Sequence, residues 1–209
     1  MIFNSLEFGL FLPLVFALYW FVFKSLKSQN ILLLVSSYVF YGLWDWRFLF
    51  LILFSSLVDY SLGRMLGKSE DNKKRNVLLF ASLVLNLGLL FVFKYYNFFL
   101  DSFVETFKVF GDSFLIERLD FILPVGISFY TFQTLSYTID IYKRKIEPVN
   151  NVVQFAAFVS FFPQLVAGPI ERAADLLPQF AKKRVFDFHK AKDGMRQILW
   201  GLFKKVVLA

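Results

Sequence analysis

The segment Leu123–Arg172 constrains the fold of this chain more than any other. It reads LPVGISFYTFQTLSYTIDIYKRK, passes a short turn, and continues into VSFFPQLVAGPIER. The nearly uncharged run Phe121–Tyr142 is, at about 1.5 Å per residue, long enough to cross a hydrocarbon layer of about 30 Å. It ends on Lys143, Arg144 and Lys145, the cationic stop expected on a cytoplasmic face. The next apolar run, Val152–Phe162, is too short to cross, and Pro163 and the pair Gly168-Pro169 break it. Irregular backbone at membrane depth persists only where protein buries it or a wet cavity solvates it. A spanning helix followed by a broken, half-length segment therefore predicts a cavity inside a membrane protein, not a simple anchor.

The rest of the chain fits a polytopic membrane protein. Hydrophobic residues make up 57% of the 209, with 30 Phe, against about 45–50% apolar residues in soluble chains. The absence of cysteine excludes disulfides, thiolate metal sites and a cysteine nucleophile. The net charge of +7 sits in separate loops between apolar runs, which is the pattern of cytoplasmic loops and not of a nucleic-acid surface. The first charge is Glu7, with no basic segment before the apolar run, so Phe8–Phe23 reads as a retained first helix and not as a cleaved signal.

Hydropathy places five spans within residues 6–142: Leu6–Phe23, Asn30–Leu43, Trp46–Leu62, Val77–Phe99 and Phe121–Tyr142. The second is short unless it extends back through Ser28. Loop charge alternates between them. Lys24 and Lys27, then Arg64, Lys68, Lys73, Lys74 and Arg75, then Lys143–Lys145 mark one side. The mixed pair Asp45 and Arg47 and the net acidic stretch Asp101–Asp120 mark the other. Basic loops in the cytoplasm put the N-terminus outside a plasma (inner) membrane. FLDSFVETFKVF predicts an amphipathic surface helix within that acidic stretch. A second is predicted from Asp187 to Ala209, with Met195, Ile198, Leu199, Leu202 and Val206 on its apolar face. The chain stops inside that pattern, as a truncated helix would.

The order LPVGISFYTFQ, IDIYKRK, FFPQLVAGPIER and a helix ending in GLFKK resembles the membrane-bound O-acyltransferases, most closely their alginate O-acetyltransferase-like branch. MIFNSLEFGLFLPLVFALYW and SYVFYGLWDWRF resemble the start of that branch. The resemblance implies an all-α, multi-pass bundle with a re-entrant segment over 152–172. It also implies that residues 1–209 are the N-terminal part of a single domain. Its implied activity is transfer of an acyl group, such as acetyl, from a thioester donor to a polysaccharide hydroxyl outside the membrane, directly or through an extracytoplasmic partner protein. No bound cofactor is implied. In the family the catalytic histidine lies in a later Trp/Arg/His-rich region with no counterpart here, so no residue of this chain is assigned a catalytic role. These residues alone are expected to be inactive. A transporter or flippase component of a cell-envelope polymer pathway is the rival reading, since broken helices and midplane polar residues occur there too.

Gln164, Gly168, Pro169, Glu171 and Arg172 form the strongest constellation. Gly168 allows close backbone approach and Pro169 removes a donor. The resemblance places this element beside a buried reaction chamber, with a shaping role. Gln133 lies mid-span in a hydroxyl-rich helix with Ser128, Thr131, Thr134, Ser136 and Thr138. That pattern serves either helix–helix hydrogen bonding or a polar passage for substrate. Asp59 and Asp140 sit near predicted span ends and read as structurally paired, Asp140 with Lys143 or Arg144. His189, the one histidine, stands beside Lys190 at the start of the last helix and reads as a solvated helix end, and no metal-ligand set is present.

Overall fold

The computed structural model describes residue 3 and residues 5–108, 124–165, 168–169 and 171–208. Among them every regular element is helical. Helix α1 (Leu6–Ala17) is capped by Ser5, whose hydroxyl accepts from Phe8 N, and runs on through a π turn, Leu18–Val22. Helix α2 (Leu26–Asp45) starts on a Ser25 cap. The first turn thus takes in Lys27 and Ser28, which lengthens the second span as its short apolar run required. A tight corner follows, in which Arg47 clasps Asp45 at 2.6 Å.

Helix α3 (Arg47–Lys68) is followed by α4 (Asn72–Leu90), capped by Asp71. Helix α4 passes without a break through a π turn, Phe91–Tyr95, into α5 (Tyr96–Lys108). The expectation of a separate surface helix over FLDSFVETFKVF is therefore corrected as far as Lys108: the segment extends α4. Leu90 and Tyr96 keep right-handed helical dihedrals, the run contains no Pro, and Gly88 is taken up within α4. Residues 109–120 lie outside the described residues. The helix Asn72–Thr106 has 35 residues, about 50 Å at 1.5 Å each, so it outruns a hydrocarbon layer of about 30 Å. It and Arg47–Lys68 are the two described helices long and apolar enough to cross by themselves.

Helix α6 (Ile127–Tyr142) begins later than the hydropathy run suggested. Pro124–Gly126 form a turn, with Gly126 at φ +78°, a conformation that favours glycine. Then come α7 (Val152–Val159), the single turn α8 (Phe162–Leu165), α9 (Ala173–Ala181) and α10 (Phe188–Phe203), the last running into a π turn at Lys204–Leu208.

Helices α3, α4 and α6 pack on one another, and α7 and α9 pack against α2, α3 and α6. Gly63 allows α3 to approach α6 closely: a Cβ there would sit 2.5 Å from Cε1 of the fully buried Tyr137. Between the three helices runs a polar seam. Asn86 donates to both carboxylate oxygens of Asp59 at 2.9 and 2.8 Å, and Ser82 Oγ donates to Oδ1 at 2.8 Å. Thr134 donates to Asn86 Oδ1 at 3.1 Å, and the Ser82 and Thr138 hydroxyls lie 3.2 Å apart. Each helix supplies an i, i+4 pair: Ser55/Asp59, Ser82/Asn86 and Thr134/Thr138. Asp59 lies deep in the bundle and not at a span end, and the partners that hold it are neutral. Asp140 is buried too, but no ion pair joins it to Lys143 or Arg144 among the described residues. Arg144 turns instead to Glu70, at 2.6 Å.

The two ends of the bundle differ. At one end Arg75, only 5% exposed, donates to four carbonyls: Leu66 in the last turn of α3, Ser69 just after it, and Ile141 and Tyr142 of α6, at 2.7–3.1 Å. A cation at two helix C-termini satisfies acceptors that the helices leave open. At the other end the Tyr41 hydroxyl donates to Val125 O, tying the end of α2 to the turn before α6.

Candidate functional site

The broken element between α6 and α9 is organised by side chains from its neighbours. Asn151 caps α7, its Oδ1 accepting from Val153 N and Gln154 N. Five consecutive residues, Phe155–Val159, are buried, as suits an apolar run enclosed by protein on all sides. The helix stops at Ser160, whose hydroxyl donates back to Ala156 O at 2.8 Å. Phe162 N then donates to Ser37 Oγ of α2 at 3.1 Å. In a continuous helix that N–H would bond Phe158 O, so the break leaves the Phe158 carbonyl free. Gln133 of α6 fills this gap, donating Nε2 to Phe158 O at 2.9 Å. Pro163 sits in the first turn of α8, where a missing N–H is tolerated.

Gln164 closes the return loop from both its backbone and its side chain. Its carbonyl accepts from Gly168 N at 3.0 Å, and its Nε2 donates to Pro169 O at 2.7 Å. Gly168 is required here, because a Cβ would sit 2.8 Å from Gln164 Cα. Gly126 is required on the facing side, where a Cβ would meet Leu165 O at 2.5 Å. Ser136 of α6 holds the exit: it donates to Gln133 O at 2.8 Å and accepts from Ala173 N at 3.2 Å.

The structure thus brings Gln133, Gln164, Gly168 and Pro169 together, with Gln133 Nε2 3.5 Å from Gln164 Oε1. Glu171 and Arg172 stand apart as exposed side chains. Arg172 contributes its carbonyl, which accepts from Asp175 N and Leu176 N at the start of α9. Four of the α6 hydroxyls are taken up by protein: Ser128 with Lys94, Thr134 with Asn86, Ser136 with Ala173, Thr138 with Ser82. His189 is exposed in the first turn of α10, where Asp187 accepts from its backbone N–H. No grouping of three or more metal-binding side chains occurs among the described residues. A cavity of about 500 Å³ opens beside the element, between the loop Ile146–Asn151 and the Ala173, Leu177 face of α9.

Sequence reasoning did not find Ser37 or the Phe158 carbonyl, and it named Ser136 only as one hydroxyl among several on α6. A run whose helix must break at a proline implies a freed carbonyl one turn earlier. That alone could have directed attention to Gln133 as its partner.

The whole chain is 38% identical to the probable alginate O-acetylase AlgI of Pseudomonas aeruginosa and spans 40% of its length. It is equally 38% identical to the AlgI of Azotobacter vinelandii, over 42% of that protein. Over its whole length it is thus similar to the alginate O-acetylases, the branch of membrane-bound O-acyltransferases that its sequence resembles. A peptidoglycan O-acetyltransferase of Helicobacter pylori is 31% identical over 95% of this chain and 42% of its own length. The chain therefore spans about two fifths of the curated relatives it matches. No family model and no solved structure matches it.

Proposed function

We propose that this chain is the N-terminal part of a membrane O-acetyltransferase that acts on a hydroxyl of an extracytoplasmic polysaccharide. The observation that carries this reading is a similarity covering 95–100% of the chain to proteins named for O-acetylating two different glycans. What the named acceptors share is a sugar hydroxyl. In the reaction the acceptor oxygen attacks the carbonyl of an acetyl thioester, the C–S bond breaks, and a base takes the hydroxyl proton. The base is supplied by the family's later histidine region. Gln133, Gln164, Gly168 and Pro169 hold the broken α7–α8 element in place as part of the chamber wall. Beside this similarity, the transporter reading has no observation in its favour.

The reading treats α1 to α6 as five membrane passes and Val152–Arg172 as re-entrant. Its support is the outer surface of these helices, where Leu10, Leu14, Val39, Phe50, Phe54 and Phe80 are all exposed. A contiguous apolar exterior of this extent suits lipid and not water. Deleting the gene is expected to remove O-acetyl esters from one envelope polysaccharide, as measured by ester release from purified polymer, and full-length protein should restore them. Unchanged ester content in every envelope polymer would overturn the assignment.

Loop charge gives the orientation a direct test. The chain has no cysteine, and both Lys74 and Trp46 are exposed. Cysteine at Lys74 is expected to react with an impermeant maleimide only after the cytoplasmic side is opened, and cysteine at Trp46 in intact cells. Ser69 is a poor probe position, being only 8% exposed, with its carbonyl bonded by Arg75. Reaction of both positions from the same side would defeat the five-pass arrangement.

A further inference from the structure

Three cavities bordering α1 share their walls. One of about 510 Å³ opens where Lys182, Arg184 and Lys190 stand beside Tyr19 and Trp20. A second, about 260 Å³, shares Tyr19, Trp20, Leu33 and Phe161 with the first, and Leu12 and Phe16 extend its apolar wall. A third, about 460 Å³, shares Leu12, Phe162 and Pro163 with the second and reaches Ile198 and Leu202 of α10. The start of α10 lies by the Trp20 end of α1, and its later part lies by Phe8. The two helices therefore run antiparallel, with the cavities between them, and α10 itself buries no residue. From Trp20 to Phe8 the slot is about 18 Å long at 1.5 Å per residue, close to the half-thickness of a hydrocarbon layer of about 30 Å.

The chemistry changes along this slot. Three cations and no carboxylate line the mouth. The nearby Asp187 is engaged in capping α10. Arg184 is set in place: Nε donates to Gln179 O at 3.1 Å, Nη2 to Asn30 Oδ1 at 2.9 Å, and the guanidinium lies over the rings of Tyr19 and Phe180 at 5.6 and 5.3 Å. Asn30 is itself fixed by donating to Phe180 O at 2.9 Å. Beyond the mouth the second cavity is walled by apolar and aromatic side chains, and the third continues them, with Lys205 after α10 at its far end. An anionic head group fits the first part and an extended hydrocarbon chain the second.

We propose that this slot binds one anionic phospholipid of the cytoplasmic leaflet, with its phosphate among Lys182, Arg184 and Lys190 and one acyl chain between α1 and α10. Basic pockets between helices on the cytoplasmic side are known sites for anionic head groups. The inference rests on the membrane reading above, which is tested separately by whether the protein leaves washed membranes only with detergent.

The test is native mass spectrometry of the full-length protein in neutral detergent, with phosphatidylglycerol, phosphatidylcholine or inorganic phosphate added in parallel. One phosphatidylglycerol per protein is expected to bind at least tenfold more tightly than phosphatidylcholine, with no competition from millimolar phosphate. Lys182 and Lys190 are exposed, so the double variant Lys182→Gln, Lys190→Gln should fold normally and lose most of the preference for the anionic lipid. Leu33→Trp, which narrows the slot, should reduce lipid retention while leaving the cations in place. Equal binding of the two lipids, an unchanged preference in the double variant, or unchanged retention in Leu33→Trp would each overturn the proposal. So would displacement of the lipid by phosphate, which would make the mouth a plain anion site.

Discussion

Replacing Arg75 by Met is expected to lower the unfolding free energy by about 3–5 kcal/mol, among the largest losses a single residue outside the reaction chamber should produce. The side chain is enclosed, and its guanidinium donates to four carbonyls belonging to the ends of two helices and the turn after one of them. Met retains the apolar bulk but removes the donor to the Ser69 and Tyr142 carbonyls, while Leu66 O and Ile141 O keep only their backbone bonds from Ser69 N and Arg144 N. Hydrogen bonds from a charged donor contribute about 1.5–3 kcal/mol each, and several share one desolvation cost. Arg75→Lys should fall between the two proteins, because a single ammonium has three donors and lacks the planar fork that spans both helices. The measurement is denaturant or thermal unfolding of full-length protein in detergent, read against Lys74→Met. Lys74, next in sequence and exposed, should be near neutral. An Arg75→Met loss of less than about 1 kcal/mol would show that water or lipid can take over these carbonyls.

That contrast between neighbours marks where the sequence stopped being legible. Lys73, Lys74 and Arg75 read as one basic loop, and loop charge is enough to orient a membrane chain without showing which cation is buried. Helix positions were readable because hydropathy acts over a whole helix: each proposed span contains helix, and two described helices, Arg47–Lys68 and Asn72–Thr106, are long and apolar enough to cross. Their ends were less so. Ser25 and Asp71 set helix starts through single hydrogen bonds, and Pro124–Gly126 delayed α6 through local backbone chemistry. The polar seam had a signal in principle, since Ser55/Asp59, Ser82/Asn86 and Thr134/Thr138 all repeat at one helical turn. Asp59 seen alone invited a charged partner; seen with its i−4 serine it pointed to a shared polar face. The grouping of Gln133 with Gln164 was half legible. Both were singled out, but the link between them depends on a carbonyl freed by a helix break, and no composition or periodicity encodes that.

The same link carries the largest expected effect on activity. In full-length protein, Gln164→Ala and Gln133→Ala are each expected to reduce acetyl transfer to polysaccharide by about 100-fold or more at matched membrane abundance. Gln164→Ala removes the donor to Pro169 O, one of the two bonds by which Gln164 holds the return loop among the described residues. Gln133→Ala leaves Phe158 O without its donor at the point where α7 must stop. Neither change touches the reacting atoms. Both let a broken helix shift inside its packing, and a misplacement of about 1 Å near the chemistry can cost about 100-fold in rate. Pro169→Ala should act in the same direction by loosening the loop. Thr138→Ala, on the same helix as Gln133 but in the polar seam, is expected to change transfer far less. The bonds from Ser82 and Asn86 to Asp59 do not depend on it. Ester formation on purified polymer, compared at equal protein, distinguishes these variants. Full activity in both glutamine variants would mean that the α7–α8 break is a packing feature and would place the reaction chamber elsewhere in the protein.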